Sequence, residues 1–150
     1  MEEQRRPDEP RRRVMVTGVV LDDAGRALVM RRRDNGRWEA PGGRLELGER
    51  VQDGVAREVE EETGVHVEAV RLSGIYNNMP SGVVAIVFRC RAVGGEAGPS
   101  EEAAEVRWAT PAEVSDLMAE AFAVRVLDAY RDDGPHVRDH DGVRVLPPGG

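Results

Sequence analysis

The sequence predicts a single-domain α/β sandwich, and three observations carry that prediction. At 150 residues with 40% hydrophobic content, the chain is long and apolar enough to build one domain with a real core. Apolar runs of strand length recur along it, and two further stretches carry apolar residues at helical spacing. Strands mixed with two helices on one core are satisfied by a layered arrangement, helices covering the sheet.

The elements follow in order. Residues 1–13, MEEQRRPDEPRRR, hold five arginines, four acids, two prolines and no aliphatic side chain after Met1, which predicts a disordered N-terminal tail. The folded domain is expected over residues 14–130. VMVTGVVL (14–21) predicts a strand, DDAGR a turn in which Gly25 can take positive φ, and ALVMRR (27–32) the returning strand of a hairpin. DNGRWEAPGG (34–43) is rich in turn formers. Residues 50–63 lack proline and place Val51, Val55, Ala56 and Val59 at helical spacing, with Gly64 where a helix C-cap glycine belongs. VHVEAVRLSGIY (65–76) and GVVAIVFRCRAV (82–93) predict strands joined by the loop NNMPS (77–81), and Glu105 to Trp108 a short strand. Thr110-Pro111-Ala112-Glu113 resembles a capping box with proline at the first helical position. The helix that it opens carries Val114, Leu117, Met118, Ala121, Phe122 and Val124 and should end near Tyr130. Residues 131–150 predict a flexible C-terminal tail with at most a short extended piece at Val143–Leu146. Gly134 and Pro135 oppose the helix that would bring His136 and His140 together as metal ligands, so that pair is taken as incidental.

Composition excludes several functions. All 21 basic residues are arginine, so lysine-based Schiff-base chemistry and a P-loop lysine are absent. One cysteine, Cys90, rules out an internal disulfide and a multi-cysteine zinc site. A net charge of −7 disfavours a partner made of long nucleic acid, which needs a basic footprint. No run is apolar enough for a membrane helix, and no apolar h-region follows the N-terminal charges, so a cytoplasmic location is expected.

The informative stretch is GRLELGERVQDGVAREVEEETGV, Gly43 to Val65. Glu58, Glu61 and Glu62 stand at i, i+3 and i+4, within roughly 100° of helical arc, while Val55, Ala56 and Val59 occupy the adjoining arc. Like charges so close repel unless a cation is bound, and hard carboxylate oxygens suit Mg²⁺ or Mn²⁺ together with substrate phosphates. For the acidic run alone, a solvated helix face is the competing explanation.

Spacing goes further. Gly43, five residues, Glu49, seven residues, Arg57-Glu58-Val59, one residue, Glu61-Glu62, one residue and Gly64-Val65 resemble the Nudix box at every specified position. Trp38-Glu39-Ala40-Pro41-Gly42-Gly43 is similar to the usual run into that box. The resemblance implies a Nudix-type α/β/α sandwich with a mixed β-sheet and Mg²⁺-dependent hydrolysis of a nucleoside diphosphate linked to another group. It also implies roles: Glu61, Glu62 and the Gly42 carbonyl as metal ligands, Glu58 as ligand or base, and Arg57 pairing with Glu49 to orient the carboxylates. Glu102 or Glu105 would supply a further acid from the loop before the last strand, unless either is simply a solvated charge.

Candidate substrate contacts are Arg31 and Arg32, which follow a strand into the loop beside the box, and Trp38, which could stack on a base or serve the core. Tyr76, ending a strand beside Asn77 and Asn78, is either a contact or a packing residue. Pro80 lies fifteen residues beyond Val65, a spacing that resembles a mark of the ADP-ribose-cleaving branch, although NNMPSG is also good turn chemistry. ADP-ribose or a related nucleotide sugar is therefore the first expectation. The alternatives are (oxidised) nucleoside triphosphates of the MutT type and a non-catalytic nucleotide-sensing module. A homodimer is compatible with all of them.

Overall fold

The computed structural model describes residues 11–148. Its elements are β1 (Arg13–Val20), β2 (Ala27–Arg32), β3 (Trp38–Glu39), β4 (Gly42–Arg44), α1 (Val51–Thr63), β5 (Val65–Asn78), β6 (Val83–Gly95), β7 (Ala103–Ala109), α2 (Pro111–Leu117), α3 (Glu120–Asp128) and β8 (His136–His140). A five-stranded sheet runs β4-β1-β6-β5-β8 and a three-stranded one runs β3-β2-β7. The larger sheet is mixed: β1 lies parallel to β6 and β5 parallel to β8, while β4 and the β5–β6 hairpin are antiparallel.

Alternation along the strands builds two cores. Val16 and Val20 of β1 and Leu28 of β2 join Val55 and Val59 of α1, whereas Val19, Ala27 and Val29 face the other way onto Val114, Met118 and Val126 of the C-terminal helices. Helices thus cover opposite faces, which is the α/β/α sandwich. Fully burying a valine stabilises by roughly 1.5–3 kcal/mol, so Val55 and Val59 fix the roll of α1 about its axis. Gly64 ends that helix in the left-handed region at φ 81°, its N–H bonded to the Glu60 carbonyl.

Four expectations need correction. The β1–β2 hairpin closes through a single bridge, Leu21 to Ala27, after which the strands diverge into separate sheets. Both strands are buried on both faces, so each becomes an inner layer instead of pairing with the other. The predicted 110–130 helix is two helices, broken at Met118 and Ala119, whose backbones are extended. The break is held from outside: the Ala121 N–H donates to the Val143 carbonyl and the Val145 N–H to a Glu120 carboxylate oxygen. Accordingly, residues 131–148 do not form a tail free of the domain. Residues 136–140 make β8, and His140 is wholly buried. Hydrophobic periodicity misses this strand because its inward positions are His136, Arg138 and His140, of which Arg138 pairs with Asp128 and His140 accepts from the Gly142 N–H. At the other end, Arg13 opens β1 and Arg12 donates to the Asn77 side chain at 2.7 Å, while residues 1–10 of the expected N-terminal tail lie outside the described residues.

Candidate active site

The carboxylate helix meets the β4 turn because Gly43 has no side chain. A Cβ there would lie 2.4 Å from the Glu58 carboxyl, so any larger residue would displace it. Gly42 is equally confined, its N–H reaching a Glu62 oxygen at a long 3.4 Å. On α1, Glu58 and Glu62 are buried side by side, whereas Glu61 stays more than half exposed. The three acids of one helical face are therefore divided, two turned in and one at the rim.

Arg57 braces the group. It donates to Glu49 through two nitrogens at 2.6 and 2.9 Å, to Glu58 at 2.8 Å, to Glu61 at 3.2 Å and to the Arg44 carbonyl at 3.2 Å. Those bonds pull the Glu49 carboxyl down to about 2. Glu62 has no such cation: burial first, then Glu58 and Glu102 beside it, push its pKa up to about 9. A buried acidic pair short of positive charge is what a divalent cation would satisfy, so the residues fit the metal that the family generally requires. Among the described residues no three acidic, histidine or cysteine side chains already converge into a metal cluster.

This strain has a measurable consequence. In metal-free protein Glu62→Gln should raise the melting temperature, because the amide carries no charge to desolvate. The folded-state pKa lies above the ordinary 4.5, so the wild-type penalty is absent below that pH and grows as pH rises toward about 9. Denaturation in chelator across that window should show the variant's advantage widening. An advantage that does not change with pH would remove Glu62 as its source.

Two clefts open near this helix, Glu62 lining one and Gly42 the other. The smaller, about 240 Å³, is lined by Glu62, Glu101, Glu102, Arg32, Arg33 and Glu39. The larger, about 730 Å³, is lined by Trp38, Gly42, Asn78, Phe122 and Arg125 among others, and shares Arg32 and Glu39 with the first. Arg32 donates to Asp34 and, at 3.0 Å, to Glu39, so it stands at the junction already neutralised.

The structure thus brings together Glu58, Glu62, Glu61, Arg57, Glu49, Gly42, Glu102, Arg32 and Trp38. It sets three expected contacts apart. Arg31 lines neither cleft and lies 3.7 Å from Glu105. Tyr76 is fully buried, its hydroxyl donating to Asp128 at 2.7 Å, so it is a packing residue and no substrate contact. Pro80 sits at an exposed turn closed by the Gly82 N–H on the Asn78 carbonyl, and it lines neither cleft. Sequence reasoning missed Glu39, Phe122 and Arg125 as cleft residues. Glu39 had a signal, the run into the box; the other two depend on the helix break and on β8.

Layered fold and braced carboxylate helix together define a hydrolase of phosphoanhydride bonds. The chain belongs to the Nudix family, whose NUDIX domain model matches residues 11–130. It is 54% identical over 140 residues to a MutT-like protein of Streptomyces ambofaciens, covering 93% of this chain and 91% of that one. Among solved structures it resembles a MutT protein of Methanosarcina mazei (27% identity, TM-score 0.71, 84% of this chain and 97% of that one). An ADP-ribose pyrophosphatase of Streptococcus suis is similar too (25% identity, TM-score 0.69, 85% and 98%). No helix among the described residues is long and apolar enough to cross a membrane.

Proposed function

We propose that the protein cleaves a small nucleoside diphosphate linked to another group, in the cytoplasm, with Mg²⁺ or Mn²⁺ held by Glu58, Glu61, Glu62 and the Gly42 carbonyl. The observation that carries this reading is the buried Glu58–Glu62 pair, in which Glu62 has no cation of its own and lines the smaller cleft. A cation held there would supply charge to offset the phosphate oxygens and to acidify water. The chain's own residues do the rest. Arg57 holds Glu58 and Glu61 in place, Glu58 serves as metal ligand or takes the proton of the attacking water, and Glu102 lines the smaller cleft beside Glu62.

ADP-ribose or another nucleotide sugar is supported by the likeness to the Streptococcus suis enzyme and by a cleft large enough for a nucleoside or sugar beside the carboxylates. Pro80, at its exposed turn, lends no support. A second reading, a triphosphate of the MutT type, is favoured by the Streptomyces relative. Chelation is expected to abolish turnover and Mg²⁺ or Mn²⁺ to restore it. The products separate the readings: AMP and ribose 5-phosphate from ADP-ribose, a monophosphate and pyrophosphate from a triphosphate. Full activity in metal-free protein would overturn the proposal.

A further inference from the structure

Arg125 is a cation in the wall of the larger cleft that the fold leaves without an acceptor. Its guanidinium lies 4.7 Å from the Phe122 ring centroid and 5.7 Å from that of Tyr76. Its Nε is buried and has no hydrogen-bond partner. One Nη approaches His140 Nε2 at 3.1 Å, yet that contact is not a hydrogen bond in the neutral ring. The Gly142 N–H already donates to His140 Nδ1 at 3.0 Å, so the ring's only proton sits on Nε2 and faces the guanidinium. Burial first, then Arg125 itself, hold His140 neutral. Glu39 shares the cleft and its charge acts on Arg125, but its hydrogen bond comes from Arg32 and none joins it to Arg125. No hydrogen bond to an acceptor among the described residues therefore meets the donors of Arg125, and aromatic rings flank its guanidinium.

Trp38 and Phe122 both line this cleft, and Arg107 backs Trp38 at 5.2 Å from its ring centroid. Aromatic walls suit a planar ring, and the Arg125 guanidinium in the same lining can donate from its Nη groups to that ring's edge.

We propose that the larger cleft is the base-binding subsite and that Arg125 is its specificity-determining residue, selecting a base edge with a carbonyl (guanine, hypoxanthine or uracil) over one with an amino group (adenine or cytosine). The inference rests on the reading that the substrate is a nucleotide, and it moves the preferred base away from the adenine of ADP-ribose. A carbonyl accepts what Arg125 offers; an amino group sets donor against donor.

Calorimetry on the full chain with Mg²⁺ tests this using IMP against AMP and UMP against CMP, pairs that differ at one exocyclic position. Wild type should bind IMP about tenfold or more tighter than AMP, and UMP tighter than CMP in the same sense. R125M keeps the length and apolar packing and should erase both ratios; should it fail to fold, R125K keeps the charge without the planar fork and should shrink them. With nucleoside diphosphate sugars, R125M should raise KM for the keto base and leave kcat within a few-fold. Equal affinities in wild type, ratios that survive in R125M, or displacement of IMP by inorganic phosphate alone would overturn the assignment, the last making this an anion site. Failure to hydrolyse any nucleoside diphosphate would instead count against the proposed function and leave the binding ratios to be read.

Discussion

Glu62→Gln is expected to lower kcat by about a hundredfold or more, since a neutral amide is a poor ligand for a hard cation and leaves charge at phosphorus uncompensated. KM should change far less, because the larger cleft, where the rest of the substrate is expected to bind, does not include Glu62. Steady-state kinetics with Mg²⁺ in excess would read both. The same substitution should stabilise the metal-free fold, so lost turnover with a raised melting temperature separates a functional carboxylate from a structural one. Near-wild-type turnover would reduce the pair to an acidic surface feature.

Asp128→Ala is expected to destabilise the fold by roughly 3–5 kcal/mol, the cost of stripping one partner from a buried ion pair. The carboxylate is nearly inaccessible and receives the Tyr76 hydroxyl at 2.7 Å and two Arg138 nitrogens at 2.7 and 2.8 Å. One side chain thus ties α3 to β5 and β8, and its removal leaves the half-buried Arg138 guanidinium unpaired. Tyr76→Phe should cost only about 1 kcal/mol, a single hydrogen bond's worth. Burial alone would raise the Asp128 pKa, but the bonds from Arg138 and Tyr76 outweigh it and hold the value low. Its contribution is therefore present above the ordinary 3.8 and lost as pH falls through the lowered folded value. Urea unfolding at neutral pH reads the loss directly; a change under about 1 kcal/mol would show the network to be dispensable.

Where backbone periodicity and side-chain chemistry agree, the sequence is legible. The valines of α1, the Gly64 terminus and the Thr110–Glu113 capping box stand as their spacing predicts. So do Glu49, Arg57 and Glu58, whose pairing requires only one helix and the turn before it. Contacts between distant segments were not legible. The alternation of β8 carries charge and imidazole inward where a pattern search counts apolar residues, and the Met118–Ala119 break depends on Val143, more than twenty residues away. Arg125 inherits both gaps, since its setting is made by the broken helix and by His140 together. Tyr76 stays open between contact and packing for the same reason: its partner Asp128 is fifty-two residues on.

The parallel pairing of β8 with β5 also bears on how the polypeptide is made. Residues 136–140 follow every other named element, so while the chain before them is being made the β5 edge is open and Asp128 awaits its counter-ion. An unpaired edge is a template for association with another nascent chain. A version trimmed at residue 130, where the family match stops, would retain every acid of the box and still carry that open edge and a buried carboxylate without its guanidinium. The acids of the box and the strand that completes the sheet thus lie far apart along the chain.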